Sequence, residues 1–133
     1  MSENQSLFKD WLRRAKSNLE RAKAGRVSEE VVYEDLCFDC QQTVEKSLKA
    51  LLVFNDVVFP RTHSISLLLE LIADTGINIP DEIKEAVILT EYAVSARYPG
   101  DYEPVNENEY NEAVQLAEKV ICWIKQLSEN DNS

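Results

Sequence analysis

Two short segments of the sequence carry the side chains best suited to binding or chemistry. The first is a polar stripe whose members recur at helical spacing: Gln42, Glu45, Lys46 and Lys49. On a helix these residues share one face, while Val44 and Leu48 mark the buried side. In the second segment, Arg97 is the last residue in helical register before Pro99, so its guanidinium should project from a helix C-terminal turn. An arginine that faces this stripe would make a candidate site.

A solvated helix face is the simpler interpretation of the same stripe. Glu45 and Lys49 are four positions apart, a spacing at which a carboxylate and an ammonium group on one helix form an ordinary ion pair. This interpretation is sufficient locally, so a functional assignment of the stripe depends on the rest of the chain.

Apolar residues at helical spacing predict five helices joined by short loops. The predicted helices are Leu7–Ala24 before Gly25, Glu29–Phe54 after Ser28 as N-cap, a shorter helix from Ile65 to Gly76, Pro80–Arg97, and a helix from Glu107 that gives way to a frayed polar tail at 129–133. Amphipathic helices can hide their apolar faces only against one another. We therefore expect an all-α fold, an up-and-down bundle with four long helices plus one shorter helix, in which the second and fifth helices pack at the centre.

Length and composition agree with a single helical domain spanning residues 1–133. With 44% apolar side chains the chain can bury its own core, and 3 glycines and 4 prolines are too few for a fold rich in tight turns. No apolar run approaches the roughly 18 to 20 residues that a membrane span requires. We therefore expect a soluble, cytoplasmic protein with no membrane contact.

The three cysteines indicate reduced thiols, since no secretion signal is recognisable. Cys37 and Cys40 lie in the middle of a predicted helix and in its apolar register, which predicts buried thiols and not a redox pair at a helix N-terminus. A zinc site could be assembled from these two with Cys122 and His63, but a second closely spaced ligand pair is missing. We expect no metal and no cofactor.

Charge is unevenly distributed along the chain. Residues 9–26 hold seven basic and two acidic side chains, whereas the chain from Val27 onward holds seven basic and twenty-one acidic ones, within a net charge of −10. The simplest interpretation is that the basic first helix lies against acidic neighbours that compensate its charge. The alternative, which we favour less, is that the helix is a nucleic-acid-binding surface. The overall acidic surface disfavours strong non-specific binding to nucleic acid.

Three motifs in order resemble the HEPN (higher eukaryotes and prokaryotes nucleotide-binding) family, and the resemblance covers nearly the whole chain. They are the run Gln41-Gln42-x-x-Glu45-Lys46-x-x-Lys49-Ala50, the segment Pro60-x-Thr62-His63, and Ala96-Arg97-Tyr98-Pro99. These small all-helical proteins are often encoded beside minimal nucleotidyltransferases, and some are ribonucleases. The resemblance implies a homodimer, a nucleotidyltransferase as partner, and a place in a toxin–antitoxin pair.

The same resemblance implies a site. Family members direct the polar stripe, here Gln42 and Glu45 with two lysines, toward the cleft or dimer contact that also holds the motif arginine. Lys46, Lys49 and Arg97 would then bind the phosphate of a nucleotide or RNA, and Tyr98 or Tyr102 would stack on a base.

In ribonucleolytic members the resemblance implies an arginine, usually followed by a polar residue, and a histidine a few residues further on. Here Arg97 is present, but no histidine follows it. Tyr102 occupies a compatible spacing, although a phenol with an ordinary pKa of about 10 is a poor base. Asp101 could accept a proton but would repel a phosphate. His63, just before the third helix, is expected to form a capping or interhelical hydrogen bond.

We therefore interpret the chain as a nucleotide-binding, regulatory partner of a nucleotidyltransferase. The alternative is a metal-independent endoribonuclease with a diverged site, in which Arg97 works with Tyr102 or with His63. A purely structural dimer is the third interpretation.

Overall fold

The computed structural model describes residues 2–93 and 103–131, and all regular secondary structure within them is helical. The elements are α1 (Glu3–Lys23), α2 (Tyr33–Phe54), α3 (Ile65–Asp74), α4 (Asp81–Lys84), a 3₁₀ helix that continues α4 (Glu85–Ala93), and α5 (Glu107–Asp131). The predicted all-α fold is confirmed. No helix in this described part of the chain is both long and apolar enough to cross a membrane.

Helix α2 is the central element and contacts every other long helix. Its most extensive contact is with α1, followed by α5. The two first helices run antiparallel, since Phe8 near the start of α1 packs on Phe54 at the end of α2, with ring centroids 5.1 Å apart. Because neighbours surround α2, it buries polar as well as apolar residues. The candidate site includes polar residues of α2 that are buried in this way.

Helix α1 begins four residues earlier than the apolar pattern predicts. Ser2 and Gln5 form a reciprocal capping box, in which the Gln5 amide donates to Ser2 Oγ and the Ser2 amide donates to Gln5 Oε1, each at 3.1 Å. The cap satisfies backbone donors that would otherwise lack partners, and it extends the helix through polar residues. Gly25, with φ of +74°, follows the end of the helix as predicted.

The predicted start of the second helix is wrong. Helix α2 begins at Tyr33, and Ser28 is not its N-cap but accepts from the Glu30 amide within a turn. The guanidinium of Arg26 organises this turn, donating to the carbonyl oxygens of Val31 at 2.5 Å and Glu29 at 2.6 Å. A side chain that binds these carbonyls outside a helix competes with the helical hydrogen-bond pattern.

The predicted fourth helix, Pro80–Arg97, differs from the structure in its geometry. Four residues of α4 pass directly into the 3₁₀ helix Glu85–Ala93, and residues 94–97 lie outside the described residues. The buried side chains of this segment, Ile83, Ala86 and Leu89, recur every three residues. A 3₁₀ helix has three residues per turn, so it places all of them on one edge against the core.

Helix α5 begins at Glu107, as predicted, but continues to Asp131, so the polar residues 129–131 are helical and do not belong to a frayed tail. The Tyr110 hydroxyl donates to the Ala22 carbonyl at 2.5 Å and joins α5 to the end of α1.

Candidate functional site

The polar stripe of α2 lies at the contact between α1, α2 and the loop before α3, and it is not a solvated face. Glu45 and Lys49 are buried, with 4% and 8% of their surface exposed, whereas Gln42 and Lys46 are half-buried. The predicted Glu45–Lys49 ion pair is present, with Nζ 2.9 Å from Oε2. We call these four residues, with the groups that bind them, the polar seam.

One half of the seam is built around the Glu45 carboxylate. Gln41 Nε2 donates to it at 3.0 Å, Lys49 Nζ at 2.9 Å, and His63 Nδ1 lies 2.8 Å from Oε1. Burial alone would raise the pKa of Glu45, but hydrogen bonds from Gln41, His63 and Lys49 outweigh burial and hold that pKa below its ordinary value. The carboxylate is therefore ionised at neutral pH.

Two aromatic rings enclose the ammonium group of Lys49. Its Nζ lies 5.7 Å from the ring centroid of Trp11 and 5.9 Å from that of Phe59, within the range of cation–π attraction. The contacts with these two rings and with Glu45 hold the ammonium group of Lys49 inside the seam. The half-buried Lys46 is therefore the seam lysine that an external ligand can reach.

The other half of the seam is built around Lys46. Its Nζ donates to Asn18 Oδ1 at 2.7 Å, and Asn18 Nδ2 donates to Asp39 Oδ1 at 2.9 Å. Burial lowers the pKa of Lys46, and the nearby charges of Arg14 and Arg21 lower it further, against the opposing effect of Glu45 and Asp39. Three cations are thus gathered on the α1 side of the seam.

Cavities open near both ends of the seam. One, of about 240 Å³, is lined by Leu7, Asp10, Trp11 and Arg14. The other, of about 340 Å³, lies between the end of α1 and the start of α2, where Arg21 and Asp39 form part of its wall. Trp11 lines the first cavity and also packs on Lys49 of the seam, so the seam adjoins this cavity. Within the cavity, Arg14 is paired with Asp10, Nε to Oδ2 at 3.1 Å.

His63 makes the predicted interhelical hydrogen bond, and the N-cap of α3 is the next residue, Ser64, which accepts from the Leu67 amide. The imidazole is 69% exposed although its Nδ1 faces the buried carboxylate of Glu45. A carboxylate acceptor favours the tautomer with the proton on Nδ1, which leaves Nε2 as a free acceptor toward solvent. A buried carboxylate therefore orients an accessible imidazole.

The predicted residues Arg97, Tyr98 and Tyr102 lie outside the described residues. The approach of Arg97 to the seam therefore stays a prediction from the motif.

The thiols take no part in the seam. Cys37 and Cys40 are fully buried, as their register predicts, whereas Cys122 is exposed. Burial raises the pKa of Cys40, which keeps this thiol protonated and unreactive. Within residues 2–93 and 103–131, no group of three or more His, Cys, Asp or Glu side chains could hold a metal ion.

Sequence reasoning missed several residues that build the seam: Trp11, Asn18, Asp39, Gln41 and Phe59. A signal for one of them was present, because Asn18 stands among Ala15, Leu19 and Ala22 in the apolar register of α1, where a polar residue needs a buried partner. No comparable signal marks the aromatic rings, which look like ordinary core residues.

Comparison with known proteins identifies relatives over almost the full chain. The HEPN domain family matches residues 8–127. The chain is 30% identical over 138 residues to a Methanocaldococcus jannaschii protein named "Putative toxin MJ1304", covering 92% of this chain and 88% of that protein.

Solved structures of similar proteins also match most of this chain. ST0689, an archaeal HEPN homologue, superposes with a TM-score of 0.72 at 31% identity, and TT1696 from Thermus thermophilus with 0.74 at 30%; each covers 90% of this chain and 96% of the other. The HEPN domain protein TM0613 from Thermotoga maritima shares the fold at 24% identity, with a TM-score of 0.58 over 96% of this chain and 98% of its own. This chain belongs to the HEPN family.

Proposed function

We propose that this protein is a regulatory HEPN module that acts as a homodimer with a separate minimal nucleotidyltransferase, as one half of a toxin–antitoxin pair, and that its polar seam binds a nucleotide. Similarity to a protein named as a toxin supports the toxin–antitoxin assignment. Membership of the HEPN family supports the nucleotidyltransferase as partner.

The observation that carries nucleotide binding is the position of Arg14. This residue lines the cavity beside Trp11, paired with Asp10 at 3.1 Å, and the Trp11 ring also packs on Lys49 of the seam, so an aromatic face and a cation lie next to the stripe that holds Lys46. A base stacked on Trp11 would place its phosphates toward Arg14 and Lys46, where charge-assisted hydrogen bonds are strong. Gln42 lies beside Lys46 on the outer edge of α2 and supplies a further polar contact.

The motif adds further groups to the proposed site. Arg97 would bind the phosphate, and Tyr98 would contact the base. Glu45 and Lys49 would act indirectly in this site, because their mutual ion pair holds the stripe in place and leaves the outer contact to Lys46.

A thermal shift titration with ATP at millimolar concentration tests the site. A nucleotide that binds only the folded protein raises the melting temperature. Lys46→Gln keeps a hydrogen-bond donor for Asn18 but removes the charge, and should weaken binding about tenfold. The control variant is Lys119→Gln. Lys119 is exposed on α5, so this substitution removes one positive charge away from the site and should leave ATP binding as in the wild type. An unchanged melting temperature in the wild type, or equal binding by both variants, contradicts the proposal.

Co-expression tests the partner. The protein should co-purify with its proposed nucleotidyltransferase partner when the two are expressed together, and expression of the protein alone should arrest growth unless that partner is present. Light scattering of the purified protein should give the mass of a dimer. Failure of both co-purification and growth arrest would remove the toxin–antitoxin assignment while leaving the nucleotide titration intact.

A second candidate function is metal-independent cleavage of RNA, and the Glu45–His63 pair favours it. Nε2 of the oriented imidazole could accept the proton of a 2′-hydroxyl as its oxygen bonds to phosphorus and the 5′-oxygen leaves with a proton from water. Lys46 or Arg97 would stabilise the charge on the phosphoryl oxygens. His63 would thus replace the histidine that the motif lacks, and Tyr102 would have no catalytic role.

RNA cleavage in EDTA tests this second candidate. His63→Ala should abolish cleavage, and Arg97→Ala should reduce it. Glu45→Gln should lower the rate, since the carboxylate that orients the imidazole is lost. Cleavage that survives in His63→Ala but disappears in Tyr102→Phe would assign the reaction to the motif tyrosine, and no cleavage by the wild type would exclude the enzyme.

A further inference from the structure

The outer face of α1 is a basic surface that acidic side chains compensate only in part. Its cations recur at helical spacing and are all exposed: Lys9, Arg13, Lys16 and Lys23. Glu20 is the only carboxylate of α1 that shares this face, which spans about 21 Å from Lys9 to Lys23 at 1.5 Å per residue. We call these four cations the basic face of α1.

The interpretation that acidic neighbours compensate the first helix holds only in part, at Arg21. Arg13 pairs with Asp10 of its own helix at 2.6 Å, and Arg21, on a different side of α1, lies 3.6 Å from Asp39. Among the described residues, no carboxylate forms an ion pair with Lys9, Lys16 or Lys23. An acidic protein thus presents a row of free ammonium groups on one side.

We propose that the basic face of α1 is a contact surface for the phosphate backbone of single-stranded RNA. The proposal does not depend on the polar seam, which lies at the inner edge of α1, or on any catalytic residue. Lysines that are exposed and unpaired can neutralise phosphates and release their condensed counterions, which is the main source of affinity in such contacts.

An RNA backbone fits this face better than a protein partner does. Stable protein interfaces need a buried apolar or aromatic centre, with charged residues at the rim. The basic face has no such centre, because the residues that share it, from Gln5 to Lys23, are polar or charged. A convex row of point charges suits a flexible polyanion instead.

The acidic remainder of the protein does not prevent this contact. At physiological ionic strength charges are screened over about 8 Å, and the diameter of a helix with its side chains is already about 10 to 12 Å. The acidic groups on the far side of the bundle therefore act weakly on an RNA strand that lies on α1. The binding should be weak, oriented and strongly dependent on salt.

The experiment is fluorescence anisotropy of a labelled oligouridylate, titrated with the full-length protein at salt concentrations between ~50 and ~200 mM. Four phosphate contacts on a single strand predict a slope of log K against log salt of about −3. The triple variant Lys9→Gln, Lys16→Gln, Lys23→Gln should reduce that slope to about −1 and lower affinity at least tenfold at the lowest salt.

A matched control removes the same charge elsewhere. Lys84→Gln, Lys119→Gln, Lys125→Gln on α4 and α5 gives the same net charge and should keep both the affinity and the slope of the wild type. Equal losses in the two triple variants, or no loss in the α1 variant, overturn the proposal. If the wild type binds polyglutamate and not RNA, and the α1 variant loses that binding, the face is a protein contact and the RNA assignment is wrong.

The ATP titration and the oligouridylate titration fail independently. A protein that binds ATP through Lys46 but ignores oligouridylate retains the proposed function without the RNA surface. One that binds oligouridylate through α1 but not ATP retains the surface without the nucleotide site.

Discussion

The ammonium group of Lys49 lies 2.9 Å from the carboxylate of Glu45, and the two side chains expose only 10% and 5% of their surface. A buried ion pair of this kind fixes the position of both partners, but it leaves a costly uncompensated charge if one partner is removed. The polar seam depends on this pair, because Gln41 and His63 bind the same carboxylate.

Removal of Glu45 should therefore destabilise the fold more than removal of Lys49. Glu45→Leu strands the Lys49 cation between Trp11 and Phe59 and should cost about 3 to 5 kcal/mol. Lys49→Met leaves the carboxylate with two donors and should cost less. The double variant should be more stable than the sum of the single effects predicts, as urea unfolding of all four proteins will measure. Additive losses would mean that the pair is not coupled.

The stability of the fold should fall at acidic pH because of Glu45. The folded-state pKa of this carboxyl is below its ordinary value of 4.5, so its stabilising contribution is fully present above that value and is lost as the pH falls through the folded-state pKa. Glu45→Gln should be less stable than the wild type at neutral pH, and this difference should shrink toward about pH 3. A difference that stays constant over this range would contradict the assignment.

The sequence predicted the fold because helical periodicity is a local property. The stripe of α2 was recognisable for the same reason: spacing alone places Gln42, Glu45, Lys46 and Lys49 on one face. Burial of half of that stripe was not predictable, because it results from α1 and the loop before α3 closing over α2. The contact of His63 with Glu45 joins residues eighteen positions apart, and no local pattern encodes it.

Helix boundaries were predicted less well than helix identity, and each miss has a local cause. Ser28 is a good N-cap residue by type, but Arg26 binds the carbonyls that follow it and holds the segment in a turn. The 3₁₀ helix was missed because the prediction used a period of 3.6, which grouped Val87 with Ile83 and Ala86, whereas in the structure Val87 is exposed and Leu89 is buried.

Only one of the three thiols should react in the native protein. Cys37 and Cys40 are fully buried, and the raised pKa of Cys40 suppresses its thiolate, whereas Cys122 on α5 is exposed. Titration with a disulfide reagent should label one thiol rapidly and the other two only after unfolding. Cys122→Ser should abolish the rapid phase. Rapid labelling of more than one thiol would show that the α2 core opens readily.

The hydroxyl of Tyr110 should contribute measurably to stability, because it forms a hydrogen bond that joins α5 to the end of α1. It donates to the carbonyl of Ala22, which also accepts from the Gly25 amide at 3.2 Å. Tyr110→Phe should lower the free energy of unfolding by about 1 kcal/mol. Tyr33→Phe is the matched control, since the Tyr33 ring packs on Tyr110 at 5.2 Å without a described hydroxyl hydrogen bond, and it should leave stability unchanged. Equal losses in the two variants would assign the effect to ring packing instead of the hydrogen bond.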